Sequence, residues 1–475
     1  MFLNLDKIKT INKTYDFCII GSGPAGMTTA INLAKSGKEV LLLEAGDYNY
    51  TEQSQNVYTG QVIGDKYYKL EQMRARYLGG TSNYWAGYCR PLDARDFKSK
   101  SKFPETAWPI QKSDLDPFTE EACKILEIKS IENDQTISDA NGINKIDFKF
   151  SPPVRFGLKY KKIIEKSKNL TTSLNANLTE IITDGKNVEK IVVKDYDNLQ
   201  VEISATTFIL ATGGIENSRI LLYNNKKTNG KLCGENTPIG NYWMEHPHAT
   251  IGEVILNTTQ NKKEYFSLTE SKQNQLNILN SGLRLNHDFK YTGTKKTIAN
   301  LACHAPTLSK WLFDKLDLNL ICGKSIMSAW EQEPVYNNRI ELSKTNKDLF
   351  DIPSTNLYWK KSENDIETIY KTSLQFGKYL IEKNLGRLRL FDWVLGEDDY
   401  PDQSSFGGGH HMGGTRMGTN INSSVVDSNC KVHKQDNLYI IGSSVFPSGG
   451  HANPTFTIVQ LALRLSKHLL NKHTS

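Results

Sequence analysis

The chain has 475 residues, of which 38% are hydrophobic and 23% are charged, and these values are typical of a globular protein with a large core. No apolar run approaches the length that spans a bilayer, so we expect no integral membrane segment. The net charge of +6 is small for this length, and the lysine clusters lack aromatic stacking partners, which argues against nucleic acid as a partner.

The cysteines and the N-terminus indicate the compartment. Seven cysteines are scattered along the chain without a CxxC spacing, which favours reduced thiols. Residues 1–17 lack the apolar core and the cleavage site of a signal peptide. We therefore expect a cytoplasmic protein. Because no metal-ligand spacing is present, we expect no metal site.

Residues 15–46, YDFCIIGSGPAGMTTAINLAKSGKEVLLLEAG, contain the most specific pattern in the sequence. A short apolar strand over 15–20 precedes the loop GSGPAG. A helix with small residues at helical spacing follows and ends at Ser36-Gly37, and a second apolar strand covers 39–43. The order of strand, loop, helix and strand predicts a dinucleotide-binding unit in a parallel α/β fold.

The glycines of this loop have the G-x-G-x-x-G spacing. Gly21 permits a tight turn, Gly23 lets a pyrophosphate approach the backbone, and Gly26 lets helix and strand pack closely. The helix N-terminus offers unpaired N–H groups to the phosphates. Glu44 follows the second strand, where a carboxylate would accept hydrogen bonds from the adenosine ribose. The motif alone does not separate NAD from FAD.

Later segments add further elements. FILATGG begins with a buried strand over 208–212, and NRIELSK (338–344) and IPSTNLYWK (352–360) alternate as strands of a second, antiparallel sheet do. Residues 362–386 predict a capped amphipathic helix. The segment NPTFTIVQLALRLSKHLL (453–470) predicts a helix with its first asparagine as N-cap.

Blocks of sequence spread over the whole chain resemble the glucose-methanol-choline (GMC) family of FAD-dependent oxidoreductases, in the family's order. The similarity is greatest to its sugar-dehydrogenase and pyranose-oxidase-like branch, and residues 250–400 match only loosely. The blocks are RARYLGGTSNYWAGYCRPLDARDF (74–97), WPIQKSDLDPF (108–118), FILATGGIENSRILL (208–222), IGNYWMEHPH (239–248), HHMGGTRMG (410–418) and NLYIIGSSVFPSGGHANPTFTIVQLALRLSKHL (437–469).

The resemblance implies an α/β fold with two discontinuous domains. One is a Rossmann-like FAD-binding domain of the GMC and glutathione-reductase type, and the other is an α+β substrate domain built on an antiparallel sheet. The predicted FAD-binding domain comprises residues 12–100, 170–245 and 405–475, and the substrate domain comprises 101–169 and 246–404.

The resemblance also implies the residues that contact the cofactor. GGTSNYW (79–85) is similar to the family's second flavin-contacting loop, and Tyr84 stands where some relatives carry a histidine bonded covalently to the flavin. We therefore expect non-covalent FAD. Ser443 stands where many relatives carry an acid. The residues predicted to contact FAD are Gly21, Gly23, Pro24, Ala25, Gly26, Glu44, Gly79, Gly80, Thr81, Ser82, Asn83, Trp85, Ala211, Gly442, Ser443, Asn453, Pro454 and Thr455.

Two residues take the family's catalytic positions. Alcohol oxidation by a flavin needs a base for the hydroxyl proton and a group that holds the substrate oxygen. The resemblance assigns the first role to His411 and the second to Asn453. His410 is expected to face away, since neighbouring side chains of an extended segment point to opposite faces. His451 is the competing candidate for the role of Asn453.

These features predict FAD-dependent oxidation of an alcohol or hemiacetal CH–OH group, with a sugar or sugar derivative as the expected substrate. We expect a dehydrogenase rather than an oxidase, with a quinone, a redox protein or oxygen as the external electron acceptor. Three alternatives stay open: a redox-neutral lyase of the same fold, a non-catalytic FAD-binding protein, and an NAD(P)-dependent Rossmann dehydrogenase. The last of these explains only the first 46 residues.

Overall fold

The computed structural model describes residues 1–10, 13–256, 263–286, 324–400 and 408–473. Cys303, Cys322 and parts of the predicted segments 246–404 and 405–475 lie outside the described residues. The other five cysteines are buried as free thiols. None of the helices in the described ranges is both long enough and apolar enough to cross a membrane.

The described residues form the following strands and α-helices. The strands are β1 (Tyr15–Ile20), β2 (Val40–Leu43), β3 (Gly60–Gly64), β4 (Tyr88–Cys89), β5 (Gln135–Ser138), β6 (Ile143–Ile146), β7 (Lys149–Phe150), β8 (Leu170–Ser173), β9 (Asn177–Thr183), β10 (Val188–Lys194), β11 (Gln200–Ile203), β12 (Ala205–Leu210), β13 (His248–Leu256), β14 (Glu264–Leu268), β15 (Ser281–Leu285), β16 (Lys324–Trp330), β17 (Arg339–Lys347), β18 (Pro353–Trp359), β19 (Gly386–Leu390) and β20 (Leu438–Ile440). The helices are α1 (Leu5–Thr10), α2 (Pro24–Lys35), α3 (Glu52–Asn56), α4 (Thr119–Leu126), α5 (Phe156–Lys166), α6 (Glu216–Lys227), α7 (Glu270–Leu276), α8 (Glu363–Glu382), α9 (Asp392–Leu395) and α10 (Thr455–Lys472).

A five-stranded parallel sheet carries the nucleotide-binding loop. Its strand order is β20-β12-β1-β2-β8, so β12, from the middle of the chain, lies between β1 near the start and β20 near the end. All four residues of β2 are buried, as expected for a strand covered on both faces. Helix α2 packs against α10. The predicted βαβ unit and the predicted strand over 208–212 are confirmed.

A seven-stranded antiparallel sheet forms a second core. Its order is β19-β13-β16-β15-β14-β6-β5. Helix α8 packs on it through Ile369 and Phe376, both fully buried in the same apolar cluster as Ile326 of β16. The helix begins at a capping box in which the Ser362 hydroxyl accepts from the Asp365 N–H and the Asp365 carboxylate accepts from the Ser362 N–H. The predicted capped helix is therefore confirmed.

Two predicted strands form but join a different sheet. β17 and β18 pair antiparallel, as expected, and β18 then pairs parallel with β3 in a separate three-stranded sheet. The predicted antiparallel pairing is confirmed, whereas the parallel partner β3 was not predicted. The reason lies in packing, because Leu357 and Trp359 of β18 bury their side chains in a small core with Trp243 and Leu70 rather than in the core beneath α8.

Residues 101–169 contribute to both cores. β5 and β6 are edge and penultimate strands of the seven-stranded sheet, whereas Ala122 of α4 and Phe156 of α5 are buried in the core of the parallel sheet. The predicted division assigned this whole segment to the substrate domain. Its short strands and its helices have separate packing partners, which composition does not reveal. The domain boundaries stay a prediction.

Candidate active site

The glycine loop after β1 has the conformation that a dinucleotide site requires. Gly21 has φ +105°, and a Cβ atom there would lie 2.4 Å from the Ala211 carbonyl oxygen. A Cβ at Gly26 would lie 1.9 Å from the Gly21 carbonyl oxygen, so both positions exclude a side chain. Gly23, directly before α2, is different, because a Cβ there would meet no atom within 4 Å. The backbone at Gly23 therefore faces open space at a helix N-terminus, which is an anion-binding geometry.

This open space belongs to a cavity of about 640 Å³, a size within the usual range of ligand sites. Three of the predicted contact residues do not line it. Gly26 packs beneath the loop, Gly79 packs against Gly157, and the Asn83 amide donates to the carbonyl oxygens of Leu78 and Gly80. The predicted residues that do line the cavity are Gly21, Gly23, Pro24, Ala25, Glu44, Gly80, Thr81, Ser82, Trp85, Ala211, His411, Gly442, Ser443, Asn453, Pro454 and Thr455.

Glu44 lies at the cavity wall with part of its acceptor capacity in use. Its carboxylate accepts from the Ser22 N–H at 3.0 Å, from the Ser22 hydroxyl at 2.6 Å and from the Gly46 N–H at 2.9 Å. A carboxylate offers about four acceptor positions. The side chain is thus held rigidly by Ser22 and Gly46 and keeps an acceptor for a ligand hydroxyl.

Arg74 supplies an unused donor to the same cavity. Its Nε and Nη2 groups donate to the carbonyl oxygens of Leu70 and Tyr58, whereas Nη1 is buried without a hydrogen-bond partner, 3.7 Å from the Glu216 carboxylate. Burial lowers the pKa of Arg74 from its ordinary value. A buried donor without a partner costs free energy unless a ligand satisfies it. Together with the space at Gly23, this donor fits a flavin nucleotide.

The two adjacent histidines are held by a short antiparallel bridge. The N–H of Met412 donates to the Met244 carbonyl oxygen at 2.9 Å, and the N–H of Met244 donates to the Met412 carbonyl oxygen at 2.8 Å. The backbone N–H of His410 donates to the Glu245 carboxylate at 2.7 Å. In this extended backbone the side chains of His410 and His411 leave on opposite sides.

His411 points toward Tyr67. Its Nε2 atom lies 3.0 Å from the Tyr67 hydroxyl oxygen, which also hydrogen-bonds the Glu245 carboxylate. Burial lowers the pKa of His411 well below its ordinary value and raises that of Glu245 to about 7. When Glu245 is ionised, the Tyr67 hydroxyl donates to it and accepts from His411. The Nε2 atom of His411 then carries a proton and is not a free base.

His410 points toward Asn453. Its Nε2 atom lies 3.1 Å from Asn453 Nδ2, and its Nδ1 atom lies 3.0 Å from His246 Nδ1. The amide nitrogen is only a donor, so Nε2 of His410 has no proton and Nδ1 carries it. His246 Nδ1 accepts the hydrogen bond from the Nδ1–H of His410. The proton of the His246 ring is therefore on Nε2, and this atom is buried without a hydrogen-bond partner in the described residues. Burial, aided by His248, lowers the pKa of His410 to about 3 and keeps the ring neutral.

Two expectations about this site are wrong. His410 does not face away toward backbone, because its ring shares a hydrogen bond with Asn453. Asn453 does not cap the last helix, because α10 begins at Thr455 after Pro454 and has no side-chain cap. The bridge at Met412 fixes which of the two rings turns toward Asn453. The sequence predicted no role for His246, although this residue lies in the block IGNYWMEHPH (239–248) that resembles the family.

The remaining candidates also lie at the cavity. His451 Nε2 is 3.3 Å from the Asp93 carboxylate, and the His451 ring packs against Gly282. Tyr84 is 50% exposed and lines the cavity, so its ring is accessible to a ligand. Trp85 Nε1 donates to the Val154 carbonyl oxygen at 2.8 Å, which fixes the orientation of its ring.

Comparison with known proteins gives consistent results. The family model described as pyridine nucleotide-disulphide oxidoreductase matches residues 15–235, and the one described as GMC oxidoreductase matches residues 334–462. 2-Methyl-1,2-propanediol dehydrogenase from Mycolicibacterium austroafricanum is 22% identical over 96% of this chain and 95% of its own length. The fructose dehydrogenase large subunit from Gluconobacter japonicus is 26% identical over 62% of this chain and 53% of its own length. A crystal structure of pyridoxine 4-oxidase from Mesorbium loti has a TM-score of 0.63 at 14% identity, over 96% of this chain and 99% of that chain, and so shares the fold.

Proposed function

The chain belongs to the GMC oxidoreductase family, and from this we propose that it uses FAD to oxidise a CH–OH group of an alcohol or sugar. The observation that carries the proposal is the pair His410 and Asn453, with 3.1 Å between ring and amide nitrogens, on the wall of the cavity that also contains the glycine loop. A neutral imidazole and an amide at one point are what proton removal and positioning of an alcohol require.

The glycine loop, Glu44 and Arg74 would hold the cofactor. The N-terminus of α2 at Gly23 would hold the pyrophosphate, and the Glu44 carboxylate would accept from the ribose. Binding is non-covalent, a proposal supported by Tyr84, since a tyrosine stands where some relatives have the linked histidine. When bound, FAD supplies the acceptor for the hydride that leaves the substrate carbon.

On substrate binding, the Asn453 amide exchanges its hydrogen bond to His410 Nε2 for one from Nδ2 to the substrate oxygen, which keeps the substrate carbon in place. The Nε2 lone pair that this exchange frees then removes the hydroxyl proton. As His410 gains a proton, its Nδ1–H bond to His246 Nδ1, at 3.0 Å, disperses the new positive charge. The Nε2–H of His246 is a second donor at the cavity wall and can bind another substrate hydroxyl.

His411 is the second candidate for the base. Residue-by-residue resemblance favours it, and it lines the same cavity. We prefer His410 because its Nε2 atom lies 3.1 Å from Asn453, the proposed substrate-positioning amide, whereas the Nε2 atom of His411 lies 3.0 Å from the Tyr67 hydroxyl. The two assignments make opposite predictions for a pair of alanine variants, given in the Discussion.

The proposed substrate class rests on the names of the similar proteins. The two dehydrogenases among them are named for a diol and for fructose, which supports a polyhydroxy compound as the substrate of this chain. On the same basis we propose a dehydrogenase that passes electrons to a quinone, a redox protein or, less efficiently, oxygen. We propose a cytoplasmic location on the basis of the cysteine pattern.

Anaerobic mixing of the flavin-loaded protein with a panel of polyols and sugars tests the proposal. We expect loss of the visible flavin absorbance with at least one member of the panel. Retention of the absorbance with every compound would favour a redox-neutral lyase. A colourless protein that reduces added NAD(P)⁺ would instead support the Rossmann dehydrogenase alternative. Repeating the reaction with an artificial dye and with oxygen separates dehydrogenase from oxidase.

A further inference from the structure

One face of the seven-stranded sheet forms a wall of the cavity. Arg284 of β15 is paired with Met327 of β16, and two residues earlier Gly282 is paired with Ala329. Ala329 is in turn paired with His248 of β13. Because alternate residues of a strand share a face, these side chains form two neighbouring rows, and all five residues line the cavity.

Arg284 is the cationic residue of this wall, and its hydrogen-bonding capacity is only partly used. Nη1 donates to the Tyr88 hydroxyl at 3.2 Å, and Nη2 contacts the Met327 sulfur, which is a weak acceptor. The Nε atom is buried without a partner. Among the described residues, no carboxylate forms an ion pair with this guanidinium.

A half-buried guanidinium without a counter-charge is costly unless a ligand supplies the anion. The other described arginines at the cavity, Arg74 and Arg76, have partners: Arg74 has the Glu216 carboxylate at 3.7 Å, and Arg76 Nη1 donates to the hydroxyls of Ser54 and Tyr196. Planar guanidinium groups bind carboxylates and phosphates with two parallel hydrogen bonds. The free Nε position of Arg284 is suited to one of these bonds.

The distance from the catalytic pair suits a single sugar unit. Gly282 lies against the His451 ring, since a Cβ there would be 2.6 Å from its Nδ1 atom, and His451 precedes Asn453 by two residues. Arg284 is one row further along the strand, roughly 7 Å away. His248, in the nearer row, has its ring centroid 6.4 Å from that of His410. Arg284 and the catalytic pair are therefore at opposite ends of a space about as long as one sugar ring.

We propose that the substrate is a hydroxy compound with an anionic group, a carboxylate or a phosphate ester, and that Arg284 binds this group. The CH–OH carbon then lies at His410 and Asn453. The inference rests on the proposed function, and it narrows the substrate class from neutral polyols to sugar acids or sugar phosphates.

Matched substrates test the proposal in anaerobic stopped-flow experiments with the flavin-loaded protein. D-Glucose and D-galactose are compared with D-glucuronate, D-galacturonate and glucose 6-phosphate. We expect the best anionic compound to reduce the flavin with a second-order rate constant about ten- to a hundredfold above that of the neutral sugars, the usual worth of a hydrogen bond to a charged group. The uronate and phosphate arms distinguish the two anions.

Variants of Arg284 test whether its guanidinium group causes the preference for anionic substrates. Arg284→Met should abolish the preference while leaving the rates with neutral sugars within a few-fold, and Arg284→Lys should retain part of it. Arg389→Met is the matched control, because Arg389 lies on β19 of the same sheet with 66% of its side chain exposed. Flavin absorbance and Tm establish that each variant is folded. An unchanged preference in Arg284→Met, or faster reduction by the neutral sugars in the wild type, would overturn the proposal.

A binding measurement separates this inference from the proposed function. Malonate and inorganic phosphate carry no CH–OH group, and at least one of them should raise the Tm of the wild type more than that of Arg284→Met. Equal Tm shifts in the two proteins would refute the anion site. If no compound reduces the flavin, the proposed function fails, and the Tm comparison alone then decides the anion site.

Discussion

The two ends of the cavity are built in different ways. At one end, the glycine loop, α2 and Glu44 come from one continuous segment, residues 21–44, which begins directly after β1 and ends directly after β2. At the other end, His246, His410 and Asn453 come from three segments that are far apart in the chain. The first end depends on local geometry, whereas the second depends on how distant segments pair and pack against one another.

This difference affects what a substitution does. At Gly23 the position of the missing side chain is open, so a larger residue collides with the ligand and not with the protein. In the histidine cluster every ring contacts another ring or a buried carboxylate. A change there alters protonation and orientation together, and the predictions below separate these effects.

The largest effect is expected for Gly23→Val, in the glycine loop at the first end of the cavity. A valine side chain would occupy the space of the pyrophosphate, so the purified variant should contain almost no flavin. The chain itself should fold, because the new Cβ meets no protein atom within 4 Å. Flavin content by absorbance and folding by circular dichroism check this. Recovery of a fully flavin-loaded Gly23→Val protein would contradict the assignment of the loop.

The second prediction concerns the end of the cavity that contains the histidine cluster, and it compares two alanine variants. His410→Ala should lower the rate of flavin reduction by about 10²- to 10⁴-fold, the usual contribution of a general base, while flavin content stays normal. His411→Ala removes one hydrogen bond to Tyr67 and should cost about tenfold or less. Both are measured by anaerobic stopped-flow with a saturating substrate. The reverse order of effects would restore His411 as the base.

The third prediction uses the raised pKa of Glu245. Burial raises it to about 7, so between pH 4.5 and 7 the folded protein binds a proton that the unfolded chain releases. The contribution of this protonation to the free energy of unfolding is complete below pH 4.5 and is lost as pH rises to 7. Glu245→Gln removes the titration. Relative to the variant, the free energy of unfolding of the wild type should therefore fall by about 3 kcal/mol between pH 5 and pH 8.

Urea unfolding at several pH values, carried out on the cofactor-free proteins, measures this difference. Glu52→Gln, at an exposed position of α3, is the control and should run parallel to the wild type. A wild-type curve that also runs parallel to that of Glu245→Gln would show that the carboxyl group is not buried as a neutral acid.

The local end of the site could be predicted almost completely from the sequence. The strands, α2, the special conformation of Gly21 and the position of Glu44 follow from spacing, because each depends on residues close in the chain. The predictions were less complete where the partners of a segment are distant in the chain. β17 and β18 joined β3 because of the apolar side chains that β18 buries with Trp243, and no local pattern contains that partner.

The sequence by itself predicted a dinucleotide-binding loop after the first strand, since a G-x-G-x-x-G turn between strand and helix admits a phosphate for steric reasons alone. It also determined that histidines and an asparagine would lie at the other end. Only the tertiary structure decided which histidine meets Asn453. The bridge between Met244 and Met412 fixes the rotation of the extended segment, and a rotation by one residue exchanges the two rings. Tyr67, Glu245, His246 and Arg284 enter the site through the same long-range packing.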